Sequence, residues 1–152
     1  MRIRSLCLLF CLSFVAVGAA QAPASKAIFT QAEGAVTVEP MRGSSSRAKA
    51  DHLLAEGDRV AAAARARAVL KTLDGTKTEF EPNTGFIMEK HRETSAGDQV
   101  VRFDLKFGKM NVDSKEPKTE KSVYEIRAGA VLITSRGAQF TVVYNPQKLR
   151  VT

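Results

Sequence analysis

Two cysteines are all that this 152-residue chain contains, and both, Cys7 and Cys11, sit in its apolar amino-terminal stretch. Beyond that stretch there is no thiol and no disulfide, so a folded domain there is held by its core alone. Histidine is as scarce. His52 and His91 stand at no metal-ligand spacing from each other or from a carboxylate cluster, which argues against a metal centre. Glu89, His91 and Glu93 alternate, and that pattern reads as the solvated face of a strand end. Aromatic residues make up 7% of the chain, too few for base stacking, so nucleic acid is disfavoured as a partner.

Catalytic groupings are missing as well. Ser44-Ser45-Ser46 lies between charged residues and has no oxyanion-hole motif beside it. The carboxylates are scattered singly among lysines and arginines, with no evident pair for glycoside chemistry. These gaps predict a protein that is not an enzyme and carries no cofactor.

What is present begins with an amino-terminal leader. Arg2 and Arg4 give a positive start, residues 6–17 are apolar, and Gly18-Ala19-Ala20-Gln21-Ala22 supplies small residues for a peptidase. Residues 1–20 are read as a secretory signal peptide cut after Ala20 or Ala22; the first is preferred because the second leaves Pro23 at the new terminus. A membrane anchor is disfavoured, since the apolar run falls short of the roughly 20 residues of a spanning helix and no second run follows. The residues before Cys11 lack the small residue of a lipoprotein site. A periplasmic or secreted location without an anchor is expected. Removing Arg2 and Arg4 takes 23 basic residues to 21 against 16 acidic ones, and the formal charge from +7 to +5.

About 130 residues remain, the size of one ordinary domain. Glycines at 34, 57, 75, 85, 97, 108, 129 and 137 separate short runs of alternating or apolar character. Residues 35–39, 78–81, 86–89, 100–105, 110–112, 123–127 and 139–144 read as strands. Residues 42–49 and 113–122, rich in charge, serine and threonine, read as exposed loops.

The stretch "AAAARARAVLKTLDG", residues 61–75, is ambiguous. Its alanines favour a helix by intrinsic preference. A helix over 60–73 would nevertheless mix Arg67 and Lys71 into its only apolar face. As a strand, Ala66, Ala68 and Leu70 face one side while Arg65, Arg67, Val69 and Lys71 face the other. The strand reading over 66–73 is therefore preferred, with 61–64 irregular and Asp74-Gly75 turning the chain into an antiparallel partner at 76–81.

In this order, "QAEGAVTVEP", "LAEGDRV", "AVLKTLDGTKTEFEPNTGFIM", "FDLKFGKMNV" and "YEIRAGAVLITSRGAQFTV" resemble the FecR domain, an exported module named for a bacterial iron-dicitrate signalling regulator. The resemblance spans most of the chain, from about Ile28 onward, and residues 27–152 are taken as one FecR-like domain. It implies an all-β fold of short antiparallel or solenoid-like strands, either β-helix-like or a distorted sandwich. Gly57, Asp58, Asp74, Gly75, Pro82, Gly108 and Gly137 are its most telling residues. Each also has a local reading as turn architecture rather than ligand contact.

This chain departs from the family pattern at Ala128-Gly129, where Thr-Pro is usual, and at Arg136-Gly137-Ala138, where Arg-Gly-Thr is usual. The family pattern also continues past the residues aligned with 148–152, so a minimal or truncated version is expected. The transmembrane and anti-sigma parts of the signalling regulators are not in the sequence. What the resemblance implies is the outer half of such a system, an envelope module that binds a partner. One candidate is an envelope protein met at a sheet edge. The other is an anionic cell-surface polymer, a glycan or lipopolysaccharide, held by Arg65, Arg67 and Lys71, although a solvated strand face explains those three cations equally well.

Overall fold

The computed structural model describes residues 26–146. The signal-peptide reading, its two cleavage sites and the chain end at 147–152 lie outside the described residues.

As the strand spacing predicts, the fold is all-β. The described residues form twelve strands: β1 (Ala27–Glu33), β2 (Val36–Glu39), β3 (Ser46–Arg47), β4 (Leu53–Leu54), β5 (Arg59–Ala62), β6 (Arg67–Lys71), β7 (Lys77–Phe80), β8 (Thr84–Glu93), β9 (Gln99–Asp113), β10 (Val123–Ala128), β11 (Val131–Ser135) and β12 (Gln139–Tyr144). They make one sheet that curls over a single core. Of the two architectures expected, the distorted antiparallel sandwich is the one found.

The front layer runs β4-β1-β6-β7-β9-β12, and the back layer runs β3-β2-β5-β8-β9-β10-β11. Strand β9 belongs to both. Its first half pairs with β8 and, in parallel, with β10; its second half pairs with β7 and β12. The other pairings are antiparallel.

The layers join along a corner where four segments bend side by side: 34–35 between β1 and β2, 63–66 between β5 and β6, 81–83 between β7 and β8, and Gly108 within β9. Main-chain bonds run across it. Ala63 N–H donates to Ala35 O at 3.0 Å, Asn83 N–H to Ala63 O at 3.2 Å, and Glu81 N–H to Lys109 O at 3.1 Å. The backbones approach too closely for a side chain at Gly108, where a Cβ would stand 2.5 Å from Thr84 Cα and 2.6 Å from Asn83 O. Its φ of +101° also lies in the region that favours glycine.

The alanine run is part of this corner. Strand β5 extends through Ala62, two residues into the stretch expected to be irregular, and residues 63–66 make the turn. Ala62 and Ala66 are buried, so pairing on both sides overrides the helix preference of alanine. Beyond the corner, β6 and β7 pair antiparallel as expected, with Ala68 opposite Phe80 and Lys71 opposite Lys77. The connecting loop has Gly75 N–H donating to Thr72 O at 2.9 Å, Thr72 N–H to Thr76 O at 3.0 Å, and Gly75 at φ +85°. This is the three-residue hairpin in which a left-handed glycine follows a type I turn.

Three sequence expectations need correction. Gly108 does not turn the chain between two strands; it bends one continuous β9. Residues 42–49 are not all loop, because Ser46–Arg47 pairs with β2 and Ala48 is buried. His91 is not on a solvated face. A bulge between Met88 and Lys90 adds one residue to β8, so His91 turns inward and is 1% exposed.

The core lies between the layers. Phe80 stacks on Phe86 with centroids 4.3 Å apart, Phe86 meets Phe103 edge-on at 5.5 Å, and Phe103 lies against Tyr124 at 5.7 Å. Phe29, Leu54, Leu70, Met88, Leu105, Met110 and Ile126 fill the remaining space.

Candidate binding surfaces

The three cations of the polymer reading lie close in sequence but in different settings. Arg65 is exposed in the corner turn, while Arg67 and Lys71 point outward from the front layer at the two ends of β6. Ala66, Ala68 and Leu70 are buried, as the alternation predicts. Arg67 Nε lies 2.5 Å from Glu79 Oε1, and the residue registers with Glu33 on β1. Lys71 sits between Ile28 and Lys77.

The same outer face carries matching carboxylates. The Glu81 carboxyl is held below its ordinary range, chiefly by the Asn111 amide at 2.9 Å and then by Lys109 at 3.5 Å. Asp113 is lowered first by the Gln139 amide at 3.2 Å and then by Lys115 at 3.4 Å. The front face is thus a woven mixture of charges.

Two of the residues read as turn architecture, Asp58 and Asp74, accept hydrogen bonds from backbone N–H groups. Asp58, 7% exposed, accepts from Ala55 N–H at 2.8 Å and Met41 N–H at 3.3 Å, fixing the 55–58 turn at Gly57 (φ +92°). Asp74 accepts from the hydroxyls of Thr72 and Thr76 at 2.6 and 2.7 Å and from Thr76 N–H at 3.1 Å. Pro82 lies in the corner, and Gly137 (φ +75°) links β11 to β12.

Among the described residues no three His, Cys, Asp or Glu side chains gather as metal ligands. Glu89 is bound to Arg127 at 2.9 Å, whereas His91 Nε2 accepts from Leu73 N–H at 3.0 Å and so ties β8 to the hairpin. Tyr124 and Thr78 share a hydrogen bond of 2.6 Å between their hydroxyls, and burial pushes the phenol above its ordinary pKa.

The free edges differ in length. Strands β3 and β4 are two residues long, but β11 has five and β12 six. Among the described residues each of the longer two is paired on one side only, and neither contains a charged residue. Val131, Leu132 and Val143 are exposed there, Val143 to 71%. Two surface depressions of about 530 and 540 Å³ flank β12: Gln139, Phe140 and Thr141 line the first with Glu79 and Asn111, and Val143 and Tyr144 line the second with Pro82 and Phe107.

The family model described as FecR protein matches residues 58–152. The chain belongs to the FecR family. The match takes in β5 to β12, so this FecR chain adds β1 to β4 ahead of the matched stretch, along the same corner and core. The family is one of signalling regulators, and no helix among the described residues is long and apolar enough to cross a membrane. Comparison with curated proteins and with solved structures gave no match.

Sequence reasoning missed β11 as a strand and therefore missed one of the two long edges. The available signal was the run Val131-Leu132-Ile133 directly after Gly129-Ala130, a two-residue turn between β10 and β11.

Proposed function

We propose that this FecR chain is a non-enzymatic binding module of the bacterial envelope that takes an extended segment of a protein partner onto the free edge of β12. The carrying observation is that six-residue, uncharged edge. Exposed edges of this kind are ordinarily blunted by charge, proline or shortness, and β12 has none of these within its span. Main-chain bonds to β12 supply affinity, and the depression beside Phe107, Val143 and Tyr144 takes an apolar side chain of the added strand. Export is supported by the positive, apolar and small-residue succession of residues 1–22.

Capture from envelope extracts at low and high salt tests this reading. The wild-type domain retains one protein at high salt, because main-chain and apolar contacts are little screened. Val143→Lys puts a charge on an exposed edge position and abolishes the capture without shifting the melt. Changing Arg65, Arg67 and Lys71 together to serine leaves it intact. Equal capture by Val143→Lys would overturn the edge, and loss in the triple variant would return the site to β6.

A further inference from the structure

The outer face of the back layer differs from that of the front. Arg59 on β5 stands opposite Ile87 on β8, Ile87 opposite Asp104 on β9, and Asp104 opposite Arg127 on β10. Along the next row, Lys90 stands opposite Arg102 and Arg102 opposite Glu125. Two shallow depressions, of about 400 and 520 Å³, share Arg59 and Ile87 and so merge into one trough. It follows β8 from Gly85 to Lys90, about 17 Å at the rise of an extended strand.

We propose that this trough binds an anionic polysaccharide. The inference takes up the anionic-polymer reading at another place on the molecule; Phe107 borders both this trough and the depression beside β12, but the line of cations does not depend on the β12 edge. Five cations line the trough, Arg59, Lys90, Arg102, Lys106 and Arg127, against the carboxylates Glu39 and Glu89. Two of the guanidinium groups are oriented. Arg102 places Nε and an NH2 group 2.7 and 2.6 Å from Glu125 Oε2, and Arg127 is bound to Glu89, which leaves further N–H donors on each for a ligand. Lys106 is paired with Asp104 at 2.6 Å. Arg59 and Lys90 belong to no ion pair among the described residues; Glu39, in register opposite Arg59 on β2, belongs to none either, so the trough keeps a small excess of positive charge.

The opposite end of the trough favours sugar over a plain polyanion. Phe107 is 44% exposed and lies across Gly85, where a Cβ would come within 2.6 Å of its ring. The missing side chain lets the aromatic ring lie over the strand, and Ala61 keeps the neighbouring position of β5 low. A ring face next to a line of fixed cations matches a chain of sugar rings bearing carboxylates.

Retention of the mature domain on immobilised polygalacturonate tests the proposal, with dextran and poly-glutamate as the uncharged and the non-sugar supports. The domain binds polygalacturonate at low salt, binds poly-glutamate more weakly and passes through dextran. Arg59→Ser with Lys90→Ser weakens retention by about tenfold or more, the loss of one or two charge-assisted contacts. Phe107→Ala removes the preference for polygalacturonate over poly-glutamate. The triple serine variant of Arg65, Arg67 and Lys71, and Val143→Lys, bind as the wild type does; failure of the β12 reading therefore leaves this result untouched. Unchanged retention in the Arg59/Lys90 variant, loss in the triple variant, or equal binding of the two anionic polymers by the wild type would overturn it.

Discussion

Where the strands cross from one layer to the other, side chains are kept out: Gly34, Ala35, Ala63, Asn83 and Gly108 lie beside one another, and backbone meets backbone. At the opposite end, side chains hold the layers. Asp74 gathers Thr72 and Thr76, Thr76 Oγ1 accepts from Lys115 N–H at 3.1 Å, His91 receives Leu73 N–H, and Tyr124 meets Thr78. The corner is therefore sensitive to atoms added and the open end to atoms removed. Both ends place the two proposed binding surfaces, since β12 and the trough are carried by the β9 that the corner bends.

The largest effect comes from adding atoms at the corner. Gly108→Val forces a branched side chain into Thr84 and onto a positive φ, and thermal melts should show a loss of about 3–4 kcal/mol, about 10 °C or more. Next is Asp74→Ala, which leaves Thr72 and Thr76 without their shared acceptor and costs about 2–3 kcal/mol in urea unfolding. If Asp74→Ala costs more than Gly108→Val, the contrast between the two ends is wrong.

Tyr124→Phe is milder, about 1 kcal/mol at neutral pH, because it removes one hydrogen bond and no volume of note. It has a signature in pH. The buried phenol ionises with more difficulty folded than unfolded, so its share of stability is intact below pH 10, the ordinary value, and is lost as pH rises above it. Melts of the wild type should fall above pH 10 more steeply than those of Tyr124→Phe. The smallest effect sharpens the comparison by an exception. Gln99 is 1% exposed, and its side-chain amide has no hydrogen-bond partner among the described residues. Gln99→Leu should be neutral or stabilising by about 1 kcal/mol, unlike removal of any paired group at that end.

These contrasts also explain what could be read from the sequence. The β6–β7 hairpin was legible because Asp74-Gly75 and the alternation of 66–71 are local signals. Asp58 and Gly57 were legible for the same reason. Strand β1 was not, because a bulge between Phe29 and Gln31 breaks its alternation, and the bulge after Met88 hid the inward turn of His91 in the same way. Gly108 looked like punctuation because a glycine at which a strand bends and a glycine at which it ends are alike in sequence. Neither the parallel pairing of β9 with β10 nor the trough has a local signal. Arg59, Lys90, Arg102 and Arg127 are far apart along the chain and meet only through the register of four strands.

Residue-resolved amide hydrogen exchange of the protein tests the folded sheet most directly. The amides of Ala63 and Asn83, bonded across the corner, should exchange only with global unfolding, those of Gly75 and Thr76 by local opening of the hairpin, and every second amide of β12 freely, as on an unpaired edge. Fast exchange at Ala63 and Asn83, or uniform protection along β12 in the free domain, would contradict a sheet bent at a tight corner with an open edge.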